Sequence, residues 1–283
     1  MASMAAMRVG AGLVTAAVPN PIMAQVSGFA PELMTYPMLA SPGGELASTG
    51  VTAQQFEKLI EKITVLAVGP GLGQGPGVEI LIEAVLSDTK LPVVIDADGL
   101  TTLAANPSLM QKMKEVARNG RTVVLTPHPG EMARLTGKSV QEIQANRLDV
   151  ARIFARDTGV ILVLKGSRTL VAHPDGRIAV NTSGNPGMAK GGSGDVLTGV
   201  MAGLLAQFPD DASQAVEAAV YLHGLAADFA VSEADEHTVL ATDSFRQFPE
   251  AFRFRANRFS KSAQRGYVWL QGLPERRSAG AAE

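Results

Sequence analysis

The residues with the most chemical content fall in one run, 181–197, NTSGNPGMAKGGSGDVL. Gly184, Gly187, Gly191, Gly192 and Gly194 crowd together, and Ser193-Gly194-Asp195 then opens an apolar run with Val196, Leu197, Val200 and Leu204. That pattern reads as a glycine-rich loop feeding a helix. The first amides of a helix have no partners within it, and the helix dipole adds positive potential there, so this helix start is an anion site. Asp195 is the awkward member. An aspartate at a helix start is ordinarily a cap. A carboxylate beside a bound phosphate is electrostatically unfavourable unless it has a task, and taking a proton from an attacking hydroxyl is such a task. The loop is not of the Walker type, because no G-K-[ST] ending follows.

Four further features follow short apolar runs. Residues 69–75, GPGLGQG, let backbone approach a ligand closely. They are not a dinucleotide fingerprint, since the third glycine would fall at Pro76; a plain strand-to-helix turn is the simpler alternative. Asp96 and Asp98 could hold Mg²⁺ through water. Asp98-Gly99 before Leu100 reads better as a helix N-cap, so this pair is expected to be structural. His128 stands between Pro127 and Pro129, which would hold its imidazole toward a polar substrate group or a phosphate; the alternative is a surface turn. Glu131 is placed to cap the helix that follows. No second His or Cys stands at ligand spacing, so His128 is not expected to bind metal. Lys165 ends the very apolar VILVLK, where a lysine is costly unless it pairs, reaches a ligand or extends to the rim. A position near nucleotide phosphates would put 166–169 in the turn beneath them.

The elements that must position these residues are legible as alternating patterns. Short β-rich runs occur at 12–18, 63–68, 92–96, 121–126 and 160–165, the last four almost continuously apolar, as in strands buried on both faces. Helical patterns lie between them at 77–87, 108–118 and 139–158, the last opened by the capping-box pair Ser139 and Glu142. This alternation predicts a parallel α/β sheet covered on both sides. Runs 168–173 and 177–181 flank Pro174-Asp175-Gly176 as a hairpin, and two helices rich in small residues follow at 194–207 and 211–231. In such sheets ligands bind beyond the carboxyl ends of the strands, where all four features above fall.

The 283 residues are 46% hydrophobic with a formal net charge of −2. That supports a full core and gives no basic excess for nucleic acid. The absence of cysteine excludes disulfides, thiolate metal sites and thiol nucleophiles. No apolar run approaches the roughly 18 residues of a membrane span. The first residues read as a helix end and a strand rather than a secretory signal, and a cytoplasmic location is expected. One domain is expected over 1–256, with 257–283 a tail showing no interpretable periodicity.

GPGLG after a strand, DADGL, LTPHPGE, LKG with a threonine close behind, and NxxGNxGMAxGGSGDVLTG, in this order, resemble the ADP/ATP-dependent NAD(P)H-hydrate dehydratases of the ribokinase-like superfamily. The resemblance covers about residues 8 to 247. It implies a three-layer α/β/α fold with a mainly parallel sheet and a late hairpin. It implies a hydro-lyase that repairs hydrated nicotinamide coenzyme, S-NAD(P)HX, with ADP or ATP as co-substrate and Mg²⁺ accompanying the nucleotide; no metal ligands are assigned. By resemblance, Asp195 is the catalytic base and contacts substrate. Gly192, Ser193 and Gly194 form the anion hole. Lys165, Gly166, Ser167, Arg168 and Thr169 bind nucleotide, and Gly71 and His128 contact substrate. Members commonly form tetramers or larger homo-oligomers. Members also begin with a further strand and a glycine-rich segment ahead of the helix ending here at 4–9, so the sheet is expected to lack a strand. The alternatives are a ribokinase-like kinase of a vitamin-precursor alcohol and an inactive nucleotide-binding subunit.

Overall fold

A computed structural model describes residues 1–87, 89–257 and 267–269. In chain order the elements are α1 (Ala2–Arg8), β1 (Thr15–Pro19), α2 (Met23–Ser27), β2 (Met34–Met38), α3 (Ala53–Ile60), β3 (Leu66–Val68), α4 (Pro76–Ser87), β4 (Val93–Ile95), α5 (Ala97–Ala105) and α6 (Pro107–Arg118). They continue with β5 (Val123–Leu125), α7 (Pro129–Thr136), α8 (Val140–Ala145), α9 (Arg147–Thr158), β6 (Ile161–Leu164), β7 (Leu170–Ala172), β8 (Ile178–Asn181), α10 (Ser193–Gln207), α11 (Ala212–Glu233), α12 (Ser244–Asn257) and β9 (Tyr267–Trp269).

Strands β3 to β9 form one sheet in sequence order. β3 through β6 are parallel, and β7, β8 and β9 join antiparallel. Side chains alternate faces along a strand, so each strand feeds two cores. Val93, Ile95, Val123, Leu125, Leu162 and Leu164 face one core with residues of α4 to α9. Val94, Val124, Ile161 and Val163 face another with α10, α11 and Ala5 of α1. These are the three layers the sequence predicts. Val68 pairs with Ile95, Ile95 with Leu125, and Leu125 with Leu162. This register brings the segments after all four parallel strands to one edge.

The close fit at that edge explains one glycine. A Cβ on Gly69 would stand 1.8 Å from the carbonyl oxygen of Asp96, and its φ is +126°. Only glycine lets the two loops pass there.

Several elements differ from expectation. The predicted helix over 139–158 is two, α8 and α9, because Asn146 leaves the helical region at φ −133°, ψ 39°. The Ser139–Glu142 capping box is present. Asp98 is not an N-cap: Asp96 holds that position, and Asp98 lies in the first turn of α5. β2 escaped the sequence reading because Pro37, which lacks a donor, interrupts it; it pairs with β1 in a separate two-stranded parallel sheet. In the tail whose periodicity could not be interpreted, Tyr267–Trp269 pairs with β8; the rest of 258–283 lies outside the described residues. Among the described residues no helix is long and apolar enough to cross a membrane.

Gly69→Ala is predicted to lower unfolding free energy by about 2 kcal/mol or more, read from urea denaturation. Wild-type stability in that variant would show that the loops part easily.

Candidate active site

Asp96 is the centre of the site. It follows β4, is 1% exposed, and each carboxylate oxygen has a partner. Lys165 Nζ donates to Oδ1 at 2.7 Å, and Thr198 Oγ1, from α10, donates to Oδ2 at 2.8 Å. Glu131 Oε2 lies 3.7 Å from the same ammonium. The lysine ending an apolar strand thus turns inward into a buried ion pair; it does not extend to the rim. Asp96, expected to be a structural loop residue, is the group that makes this burial tolerable. Asp98 fixes the 69–75 loop, accepting from the Gly73 amide at 2.8 Å.

The pair lies against the start of α10. A Cβ on Gly194 would stand 3.3 Å from Lys165 Nζ and 3.6 Å from Asp96 Oδ2. Gly192, at φ +91°, is the N-cap, and no side chain caps the helix. Ser193 N–H reaches the Lys190 carbonyl and Val196 N–H bonds the Gly192 carbonyl, which leaves the Gly194 and Asp195 amides without a helix partner. Asp195 is therefore not an N-cap but a first-turn residue beside an open anion site. Burial raises its pKa above the ordinary aspartate value, with the Asp96 charge adding to the effect; the N-terminal amine and Lys165 act the other way. A carboxylate tuned upward is a better proton acceptor near neutral pH.

The other expected contacts fall on the same edge. Gly71 takes φ +66° in the loop after β3. His128 caps α7: its Nδ1 accepts from the amides of Gly130 and Glu131, at 3.0 and 3.2 Å. Glu131 Oε2 accepts from His128 N–H at 2.7 Å, completing the box. The imidazole remains half-exposed at 51%, and its Nε2 lies 3.5 Å from Glu131 Oε1, so any ligand contact at Nε2 is made beside that carboxylate. Residues 165–169 form the turn after β6. Thr169 Oγ1 closes it onto the Gly166 carbonyl at 3.0 Å, and Arg168 reaches the Thr182 carbonyl at 3.1 Å. Nothing in the local sequence marks the residue that holds this turn. Arg147, first in α9, donates to the carbonyls of Ser167 and Leu164 at 2.5 and 3.2 Å.

A cleft of about 280 Å³ adjoins the anion site, lined by Ser193, Met188, His223, Ala227, Val239 and Ala241. His223 is the second residue that sequence reasoning missed. Burial drives its pKa down to about 4, with the Lys165 charge contributing, so its imidazole is neutral at pH 7.

The sequence pattern of one family, NAD(P)H-hydrate dehydratase, matches residues 1–250. The chain belongs to this family. The bifunctional NAD(P)H-hydrate repair enzyme Nnr of Moorella thermoacetica is 40% identical over 253 residues, 89% of this chain and 46% of that protein. The chain thus spans less than half the length of that relative. The ADP-dependent (S)-NAD(P)H-hydrate dehydratase of Bacillus subtilis is 38% identical over 196 residues, 69% of this chain and 66% of that one. The solved ADP/ATP-dependent NAD(P)H-hydrate dehydratase from Bacillus subtilis, co-crystallised with ATP/Mg²⁺, superposes with a TM-score of 0.71 at 31% identity, covering 89% of this chain and 83% of that one. The NAD(P)H-hydrate dehydratase fold is the ribokinase-like architecture expected from the motifs.

The charges at this edge of the sheet set two expectations. Lys165→Met leaves Asp96 buried without its cation and is predicted to cost about 3–5 kcal/mol in denaturant unfolding; a change under about 1 kcal/mol would contradict the pairing. The His223 ring should titrate near pH 4 by histidine NMR. Its folded pKa lies below the unfolded value, so the unfolded chain binds the extra proton. This group's contribution is full above about pH 6.5 and is lost as pH falls toward about 4. A midpoint near 6.5 would contradict its burial.

Proposed function

We propose that this chain catalyses nucleotide-dependent dehydration of S-NAD(P)HX to NAD(P)H, with ADP or ATP as phosphoryl donor, and that residues 1–256 form the catalytic domain. The observation that carries the reading is the uncapped start of α10 with Asp195 beside its free amides. The nucleotide's terminal phosphates fit the Gly192, Ser193 and Gly194 stretch, where the helix dipole and two open amides meet negative charge. The 165–169 turn forms the neighbouring wall, and the cleft at His223 is the place for part of the nucleotide beyond its phosphates. The hydrated nicotinamide ring lies toward Gly71 and His128.

In this arrangement Asp195 takes the proton of the ring hydroxyl as its oxygen attacks the terminal phosphorus. The new O–P bond forms, the P–O bond to the rest of the nucleotide breaks, and AMP or ADP leaves. Inorganic phosphate then leaves with the C–O electron pair, water takes a proton from the neighbouring ring carbon, and the ring double bond returns. The hydroxyl, a poor leaving group, has become a good one.

Magnesium fits as a companion of the nucleotide. Asp96 is engaged by Lys165 and Thr198, and Asp98 by the Gly73 amide. Among the described residues no group of three metal-ligating side chains converges. This donor set suits an ion held mainly by phosphate oxygens and water, with one or two carboxylates at most. When bound, it neutralises phosphate charge. Self-association into a homo-oligomer, a tetramer among the options, is part of the same proposal; exposed Leu13 and Phe29 near the two-stranded sheet support it.

The test follows NADH absorbance when purified protein meets S-NADHX and either ADP or ATP. Recovery with one of them is expected, and recovery with neither would refute the proposal. Asp195→Asn should lower kcat at least about a thousandfold while leaving ADP binding within a few fold. Retained turnover would remove Asp195 as the base. In the wild type, kcat/KM should fall on the acid side with a midpoint above the 3.8 of an ordinary aspartate, because the base must be ionised and its pKa is raised.

A further inference from the structure

The second half of the 181–197 segment is accounted for by the anion site. The first half, Asn181, Ser183, Gly184, Asn185 and Gly187, lies against α11. Asn181 closes a local turn: its Oδ1 accepts from the Ser183 amide at 3.3 Å, and its Nδ2 donates to the Ser183 carbonyl at 3.1 Å. Ser183 Oγ lies 2.8 Å from the Tyr221 carbonyl on α11. The approach is close, since a Cβ on Gly224 would stand 2.3 Å from that hydroxyl. Asp228, one turn further along α11, gives both carboxylate oxygens to the same loop. Oδ2 accepts from the Gly184 amide and Oδ1 from Asn185 Nδ2, each at 2.9 Å. Asn185 Oδ1 in turn accepts from the Gly187 amide at 3.0 Å, capping the short turn Pro186–Met188. Beyond that turn, Lys190 Nζ donates to the carbonyls of His237 and Val239, at 2.6 and 2.5 Å.

We propose that Asp228 and Asn185 form a positioning clamp for the nucleotide-phosphate site, touching no ligand themselves and fixing where Gly192 to Asp195 stand. The reason is entropic. A loop with this many glycines has wide conformational freedom, so its own backbone does not choose the arrangement in which the α10 amides face a phosphate. The arrangement has to be imposed by anchors on a rigid element. Asp228 supplies one with two charge-assisted bonds, and Lys190 supplies the other on the 237–239 segment. Between them lie Pro186–Met188 and only a few further residues, so a shift at Asn185 has little slack in which to dissipate before Gly192. A misplacement near 1 Å at a reacting centre costs on the order of a hundredfold in rate.

The proposal rests on the nucleotide reading of the α10 start, and its test separates the two. Asp228→Asn keeps an acceptor for Gly184 but turns an NH₂ group toward the NH₂ of Asn185. The paired change Asn185→Asp with Asp228→Asn restores the bond between the two side chains with donor and acceptor exchanged and keeps both backbone amides donating. The introduced amide on α11 would donate to the introduced carboxylate on the loop, whose other oxygen still accepts from the Gly187 amide. ADP affinity is measured by calorimetry below the onset of melting, and kcat with S-NADHX alongside it. The single variant should weaken ADP and lower kcat, together roughly ten- to hundredfold. The exchanged pair should return both to within about threefold of wild type. A single variant that melts earlier yet binds ADP and turns over normally would reduce the clamp to a stabilising contact and overturn the proposal. So would an exchanged pair that recovers neither quantity. If Asp228→Asn does not fold, Asn185→Ala, which leaves Asp228 bound to Gly184, takes its place with the same expected loss. A wild type that binds ADP without dehydrating S-NADHX would remove the dehydratase reading alone and leave the clamp judged on affinity. A wild type that binds neither ADP nor ATP would overturn both; one that binds only ATP is judged on ATP affinity instead.

Discussion

One buried ion pair holds the site together. Asp96 and Lys165 are brought together from the ends of β4 and β6, 69 residues apart in sequence, and Thr198 ties the same carboxylate to α10. Burying two charges is expensive, and the cost is offset only when both are paired and hydrogen-bonded. Here the pairing is also spatially informative. The carboxylate can satisfy both partners only if the two strand ends and the second turn of α10 keep one relative position. The start of α10, with its unpartnered amides, is thereby registered against the sheet edge where the other loops end.

The same pair sets the electrical character of the site. Lys165 has its charge committed to Asp96, so the positive potential offered to a phosphate comes mainly from helix amides and dipole. Asp195 stands next to this potential while burial and the Asp96 charge favour its protonated form. In the proposed reaction, amides that attract an anion and one carboxylate placed to accept a proton would bring a phosphoryl donor and a hydroxyl together. A fully cationic site would bind the phosphate while lowering the basicity of any nearby carboxylate.

Much of this was legible in the sequence because it is local. A glycine-rich run ahead of an apolar helix, and apolar strands ending in Gly, Asp, His or Lys, carry their meaning within a few residues, and the parallel register placed them on one edge as expected. What the sequence hid is long-range. Asp96 looked structural because its partners lie 69 and 102 residues away. Arg147, His223 and Asp228 sit inside unremarkable helical patterns, and only their packing shows what they hold. His128 was expected as a ligand contact, and the structure gives one of its nitrogens to capping α7. β2 was obscured by Pro37, and the break at Asn146 has no local signal that distinguishes it from a continuous helix.

At the α10 start, in this account, a phosphoryl group passes to the hydroxyl that is later eliminated, and isotope tracing tests that step most directly. S-NADHX carrying ¹⁸O in the ring hydroxyl, turned over with ADP or ATP, should release the label in inorganic phosphate, because the hydroxyl oxygen becomes the bridging oxygen of the ester before the C–O bond breaks. Label appearing in water, with unlabelled phosphate, would mean direct dehydration and would contradict the role given to the nucleotide, to Asp195 and to the anion site.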